Sequence, residues 1–459
     1  MSQASRREFL RRAGAFGLLR AAAPLGLQLA GIGAAAAATR PADYRAIVCL
    51  FMYGANDAHN TVVPRGEAQW RPYADARPGL ALPRETLLPI ASTDAELGLH
   101  PALAPLQTLY AQQRAAVLAN VGPLMVPIRD ATEFRATNVP RPPKLFSHND
   151  QQAIWQAFSP EGARAGWGGR IADLLAAHND APLFTAISAA GNAVFLASEH
   201  TQPYQIGTGG AIGFNRSNAS SLFGSPQGAA ALRAQIAAGG GLMEGAYGDV
   251  VGRSVEAHAR LSAALAKLPE SDPRVTLPPG LEKDGLARQL RIVARLIGVH
   301  DDAAIAQRRQ VFFVSLGNFD THDGQLARQA GLLGSVAASV AWFQGAMDAL
   351  GLSNQVTLFT ASDFGRTLLS NGDGTDHGWG GHHFIAGGAV RGGRVYGRFP
   401  EVALNTATDI GNGRLLPTTS VDEYAATLAR WMGVAPADLP LVLPNIGHFA
   451  QPDLGFLRA

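Results

Sequence analysis

Between Asp320 and His383 the chain carries three short glycine-punctuated segments, "NFDTHDGQ", "FTASDFGRT" and "NGDGTDHGWGGHH", which together hold five aspartates and four histidines. Charged residues make up only 16% of the sequence, so this crowding is not what an ordinary solvated surface supplies. Carboxylates set side by side raise one another's pKa unless a cation neutralises them. A divalent metal answers that requirement. Carboxylate oxygens with imidazole nitrogens suit Zn, Mn, Fe, Mg or Ca, and residue type alone leaves the choice open.

Taken singly, these residues have definite capacities. Asp320 and His322 are two apart, so a strand end aims both to one side and offers two ligands to one ion. Asp323 and Gly324 read as the turn that follows. Asp363 and Arg366 share one loop, where Arg366 either holds an oxyanion such as phosphate or sulfate or pairs with Asp363. Glycines flank His377 and let the backbone come close to a site. His382 and His383 point to opposite faces if they open a strand, so at most one is expected as a ligand. Upstream, Asp57 follows a turn suited to Gly54 and Asn56; it is read as a metal ligand, with an Asx-turn or helix cap as the alternative. Ser147 and His148 precede a helix expected from about Asn149 to Phe158. Ser147 serves there as an N-cap or as a hydroxyl beside N–H groups that favour an anion, and His148 as a ligand or proton carrier. A Walker phosphate loop, a G-x-S-x-G elbow and an H-E-x-x-H helix are all missing from the sequence.

The elements that must position these residues are legible as apolar runs of strand length: 46–54, 114–122, 181–188, 310–320, 355–365 and 383–390. Runs, as opposed to alternations, are the pattern of strands covered on both faces. Leu333, Val336, Val340, Phe343, Met347 and Leu350 form a helical stripe, as do Leu286, Leu290, Val293 and Ile297. A last helix begins at a capping box made by Ser420 and Glu423. The order predicts an α/β fold, a doubly wound, mostly parallel sheet with helices on both faces. Ligands of such sheets gather beyond the carboxyl ends of the strands, which is where Asp57, Asp320 and Asp363 fall. The stretch from about 195 to 280, rich in Ala, Gly, Ser and Pro, reads as a loop-rich insertion on a single domain spanning 39–459.

The first residues address location. "SRREFLRR", with Arg6 and Arg7 paired ahead of an Ala/Gly/Leu run and Ala36-Ala37-Ala38, reads as a twin-arginine signal peptide over 1–38. It implies engagement of the twin-arginine export machinery and a periplasmic or secreted product. Glycines and Pro24 make that run a poor spanning helix, so no stable membrane anchor is expected. The net charge of +2, with no basic block in the mature part, argues against a nucleic-acid partner. The single cysteine, Cys49, excludes an internal disulfide and sits in a core-strand pattern.

The set "YGANDAHNTVVP", "FSHNDQQAIW", "FDTHDGQ", "SDFGRT" and "GTDHGWGGHHFIAGG" resembles the secreted bacterial family named domain of unknown function 1501, placed in the alkaline phosphatase-like superfamily with sulfatases. The resemblance spans nearly the whole mature chain. It implies an alkaline phosphatase-like fold and a metal-dependent hydrolase of phosphate or sulfate esters, acting on a small anionic substrate. By the same resemblance Asp57, Asp320, His322, Asp363 and His377 correspond to metal ligands and Ser147 to a nucleophile. Two departures are present: Phe364 stands where the superfamily commonly has His, and the Asp320 to His322 spacing is short. A one-metal site, or a non-catalytic binding or assembly protein on the same fold, is therefore an alternative, and a redox role with Fe or Mn is a third.

Overall fold

Strand β1 shows how the sheet is built. Of its residues, Ala46, Val48, Leu50 and Met52 enter one apolar cluster while Ile47, Cys49 and Phe51 enter another. Both faces are thus dry, which is why the sequence there is a run and not an alternation. The computed structural model describes residues 41–459 apart from 94, 213–220, 222–224, 238–241 and 459. The export signature and cleavage pattern expected at 1–38 lie outside the described residues. Residues Asp43–Ala459 group as one unit.

The principal strands are β1 (Arg45–Met52), β2 (Ala115–Gly122), β3 (Ala186–Ser188), β4 (Tyr204–Gly207), β5 (Arg309–Leu316), β6 (Val356–Ser362), β7 (Arg366–Ser370), β8 (Thr375–His377) and β9 (Gly381–Ala386). Across the main sheet the order is β2-β9-β6-β1-β5-β3-β4, extended at its margins by short pairings. The block β6-β1-β5-β3-β4 is parallel. β9 runs antiparallel to both of its neighbours, β6 and β2. The reason is local: no helical crossover separates β6 from β9. The antiparallel ribbon β7–β8 turns the chain back at the carboxyl end of β6, and β9 enters the sheet from there.

Helices cover both faces, as the periodicity predicts. On one side lie α2 (Ala104–Ala111), α6 (Gly285–Gly298) and α7 (Gln325–Ala349); on the other, α3 (His148–Ala157), α4 (Trp167–Leu175) and α8 (Val421–Met432). The stripes Leu286, Leu290, Val293, Ile297 and Leu333, Val336, Val340, Phe343, Met347 are buried, and the Ser420–Glu423 capping box is formed. α7 is long and apolar enough to cross a bilayer, yet half of that window is buried within the protein. Within 195–280, the structure has β4 in the main sheet and α5 (Leu242–Ala266), whose Ala257, Leu261, Ala264 and Leu265 join the core. More of this stretch is packed than its Ala/Gly-rich composition suggests, because tertiary contact, not intrinsic propensity, stabilises such helices.

Candidate metal centre

Strand register brings the site together. Met52, Leu316 and Ser362 are level across the three central parallel strands, so the segments leaving them, with Gly54, Asp320 and Asp363, emerge at one edge. Gly54 has φ +104°, and a Cβ there would meet the Asp320 nitrogen at 2.5 Å. Its N–H donates to both Asp363 oxygens at 3.2 Å and its carbonyl accepts from Arg366. Only a residue without a side chain allows that approach.

Three imidazoles and one carboxylate converge above this edge. His148 Nε2 lies 3.1 Å from His377 Nε2, and His322 Nε2 lies 3.0 Å from the same atom. Asp320 Oδ1 is 3.0 Å from His322 Nε2 and 3.4 Å from His377 Nε2, while its Oδ2 is 3.4 Å from His148 Nε2. The ligand atoms of His148, Asp320 and His377 fall within 4.8 Å of one another. Asp320 and His322 are 42% and 44% exposed, so the group opens to solvent.

What surrounds the rings fixes which nitrogen faces inward. His377 Nδ1 is 2.7 Å from the Phe146 carbonyl and His148 Nδ1 is 2.7 Å from Asp363 Oδ2. A carbonyl and a carboxylate only accept, so both Nδ1 atoms carry the proton, and each ring in its neutral form turns a bare Nε2 lone pair to the centre. Two such lone pairs 3.1 Å apart repel unless a proton or a cation lies between them. The hydrogen bond to Asp363 holds His148 above the usual imidazole pKa, outweighing burial. Burial holds His377 below it, reinforced by the charges of His148 and Arg366. For Asp320, burial acts upward, but the hydrogen bond and charge of Arg366 bring the carboxyl below its ordinary value.

The donor set fits a metal ion on its own geometry. Bonds of about 2.0–2.1 Å place neighbouring ligands of one ion roughly 3 Å apart, and the separations among His148, His377 and the two Asp320 oxygens run from 3.1 to 3.4 Å. The outer contacts fit as well, since metal-binding histidines usually give their other N–H to a carboxylate or a carbonyl. Asp363 is fully buried and also accepts from Gln152 at 2.7 Å. Phe364 lies with its ring centroid 4.9 Å from those of both His148 and His377.

Several expected roles are corrected. Asp57 does not join the cluster: its carboxylate is paired with Arg77 at 2.7 Å, both side chains fully buried, and it caps the turn through the His59 N–H. Arg77 follows helix α1 (Glu67–Ala76), and nothing in the sequence pairs it with Asp57. Asp363 orients His148 instead of presenting a free ligand. Arg366 is not free to grip an oxyanion. Its Nε bonds the Thr375 hydroxyl, Nη1 bonds the Gly54 carbonyl and Asp320, and Nη2 bonds the Thr375 carbonyl. It holds Asp320 in place. Ser147 precedes α3 without capping it, and its hydroxyl donates to Asp150 at 2.8 Å. His382 accepts from the Asn120 N–H and stacks on Phe399, while His383 packs against Trp155 with its pKa lowered to about 3 by burial. Neither is among the converging imidazoles.

Residues that sequence reasoning passed over complete a buried relay. Arg366 Nε donates to the Thr375 hydroxyl, which donates to Gln325 Oε1 at 2.6 Å, and the Gln325 amide donates to Asp57. The relay couples the Asp57–Arg77 pair to the arginine that positions Asp320. Uncharged Thr and Gln carry no spacing signature that would reveal them.

The fold and the cluster together define an α/β protein with a histidine–aspartate centre at the carboxyl edge of its sheet. Residues 44–439 match the family described as "Protein of unknown function (DUF1501)", and the chain belongs to that family. No curated protein matches it in sequence. Among solved structures it is similar to "Ps i-CgsB in complex with k-i-k-neocarrahexaose", with a TM-score of 0.37 and 10% identity over 89% of this chain and 77% of that one. It is also similar to "BT1596, a 2-O GAG sulfatase", with a TM-score of 0.32 and 9% identity over 88% and 75%.

Proposed function

We propose that the protein is a metal-dependent hydrolase of phosphate or sulfate esters, with its centre at His148, Asp320 and His377 and with His322 at the open side. The observation that carries the metal reading is the pair of Nδ1–H groups, held by Asp363 and the Phe146 carbonyl, which in the neutral rings leaves two bare Nε2 atoms facing each other beside a carboxylate. The nitrogen-rich set favours a transition metal such as Zn or Fe over Mg or Ca. Such an ion supplies an activated water near neutral pH and polarises the ester oxygen. The chain's own residues do the rest. Asp363 fixes the tautomer of His148, Arg366 fixes Asp320, and the 42% exposure of Asp320 leaves room for substrate. With the Ser147 hydroxyl bonded to Asp150, water is the better-placed nucleophile. The ester class rests on the sequence resemblance, and the paired Arg6 and Arg7 support export. Replacing both by Lys should retain the protein in the cytoplasm on fractionation.

A second reading, a non-catalytic protein with a structural ion, is favoured by one fact: Asp57 and Ser147, given functional roles by the resemblance, are both bonded elsewhere. Assays with aryl phosphate and aryl sulfate separate the two. Hydrolysis that is lost with a chelator, restored by metal and absent in His377→Ala supports the hydrolase. Stability that depends on metal, with no turnover of either ester, supports the structural ion.

A further inference from the structure

With Arg366 saturated, a second arginine is tied to the backbone of the residues that form this centre. Arg414 is half-buried; its Nε donates to the His377 backbone carbonyl at 2.8 Å, and its Cζ lies 4.9 Å from the centroid of the Phe146 ring. Phe146 is the residue whose carbonyl holds His377 Nδ1, so Arg414 is fixed to both residues that set this imidazole. Phe146 has φ +73°, a conformation costly for an aromatic residue and retained where surroundings over-determine it. These contacts use one of the five guanidinium N–H donors and one face. The four donors of Nη1 and Nη2 have no acceptor, and no carboxylate pairs with Arg414, among the described residues. By contrast, every nitrogen of Arg366 is engaged.

A guanidinium immobilised through Nε and a stacked ring, with its terminal edge uncommitted, is pre-organised for two parallel hydrogen bonds to a tetrahedral oxyanion. We propose that Arg414 binds the phosphate or sulfate group of the substrate beside the histidine cluster, a specificity role that the sequence suggested for Arg366. This rests on the metal-dependent reading above. It also accounts for why Arg414 makes no ion pair among the described residues: a neighbouring carboxylate would compete with the substrate anion for the same edge.

Titration of inorganic phosphate into the metal-loaded protein, with metal content measured on the same samples, provides the test. Arg414→Gln should weaken phosphate binding by about ten- to a hundredfold, the worth of charge-assisted hydrogen bonds, while metal content stays at the wild-type level. Arg414→Lys, which keeps charge but not the planar edge, should fall between. Unchanged phosphate affinity in Arg414→Gln overturns the proposal, and so does loss of metal in both variants, which would make Arg414 a strut for His377. A wild type without metal sinks the metal-dependent reading separately. The same titrations on metal-free protein then still decide Arg414, with equal affinities counting against it.

Discussion

Asp57 and Asp363 both follow a central strand, yet their surroundings give them opposite duties. Asp363 meets Gly54 N–H, Gln152 and His148, so its charge is spent orienting an imidazole. Asp363→Asn should weaken metal binding by about 10- to 100-fold, the usual cost of losing such an outer partner, as read by competition with a chelator; unchanged affinity would contradict the role. Asp57 neutralises Arg77 in full burial. Asp57→Asn should cost about 3–5 kcal/mol in chemical denaturation, because it strands a buried guanidinium, while metal content is retained. The fold brings His148, Asp320, His322 and His377 near one another; Asp320, His322 and His377 stood out in the sequence by residue type in glycine-punctuated segments, and His148 by its place just before a helix. Asp57, Ser147 and Arg366 were misread because the partners that claim them, Arg77, Asp150 and Thr375, are ordinary residues whose proximity only the fold creates.

At the scale of elements, strands and helices were readable because burial on both faces leaves apolar runs, as in β1, and burial on one leaves stripes, as in α6 and α7. The reversal of β9 was not readable, since the ribbon β7–β8 that causes it carries polar and glycine residues resembling a loop. Helix α8 offers a test of its own. Its first-turn Asp422 is fully buried, and burial raises its pKa from 3.8 to about 7 despite bonds from Asn445. The folded state therefore binds this proton more tightly than the unfolded state does. Its contribution is complete below the unfolded value and is lost as pH rises from about 4 to about 7. Asp422→Asn should flatten the fall in thermal stability across that window, and a slope equal to the wild type would show that Asp422 does not titrate there.

For the molecule as a whole, the sheet acts as a collector. Level strand ends deliver Gly54, Asp320 and Asp363 to one edge, the returning ribbon adds Arg366 and His377, and α3 adds His148 from the far side of a long stretch of chain. Separations of 215 residues between His148 and Asp363 and 55 between His322 and His377 show why spacing alone could nominate these groups but not assemble them. The central claim is that this assembly holds a metal ion. Elemental analysis of protein purified gently from metal-replete cells tests it most directly, comparing wild type, His148→Ala combined with His377→Ala, and Asp57→Asn. The account predicts stoichiometric transition metal in the wild type and in folded Asp57→Asn, with little in the double variant. Metal absent from the wild type, or retained in full by the double variant, would contradict it.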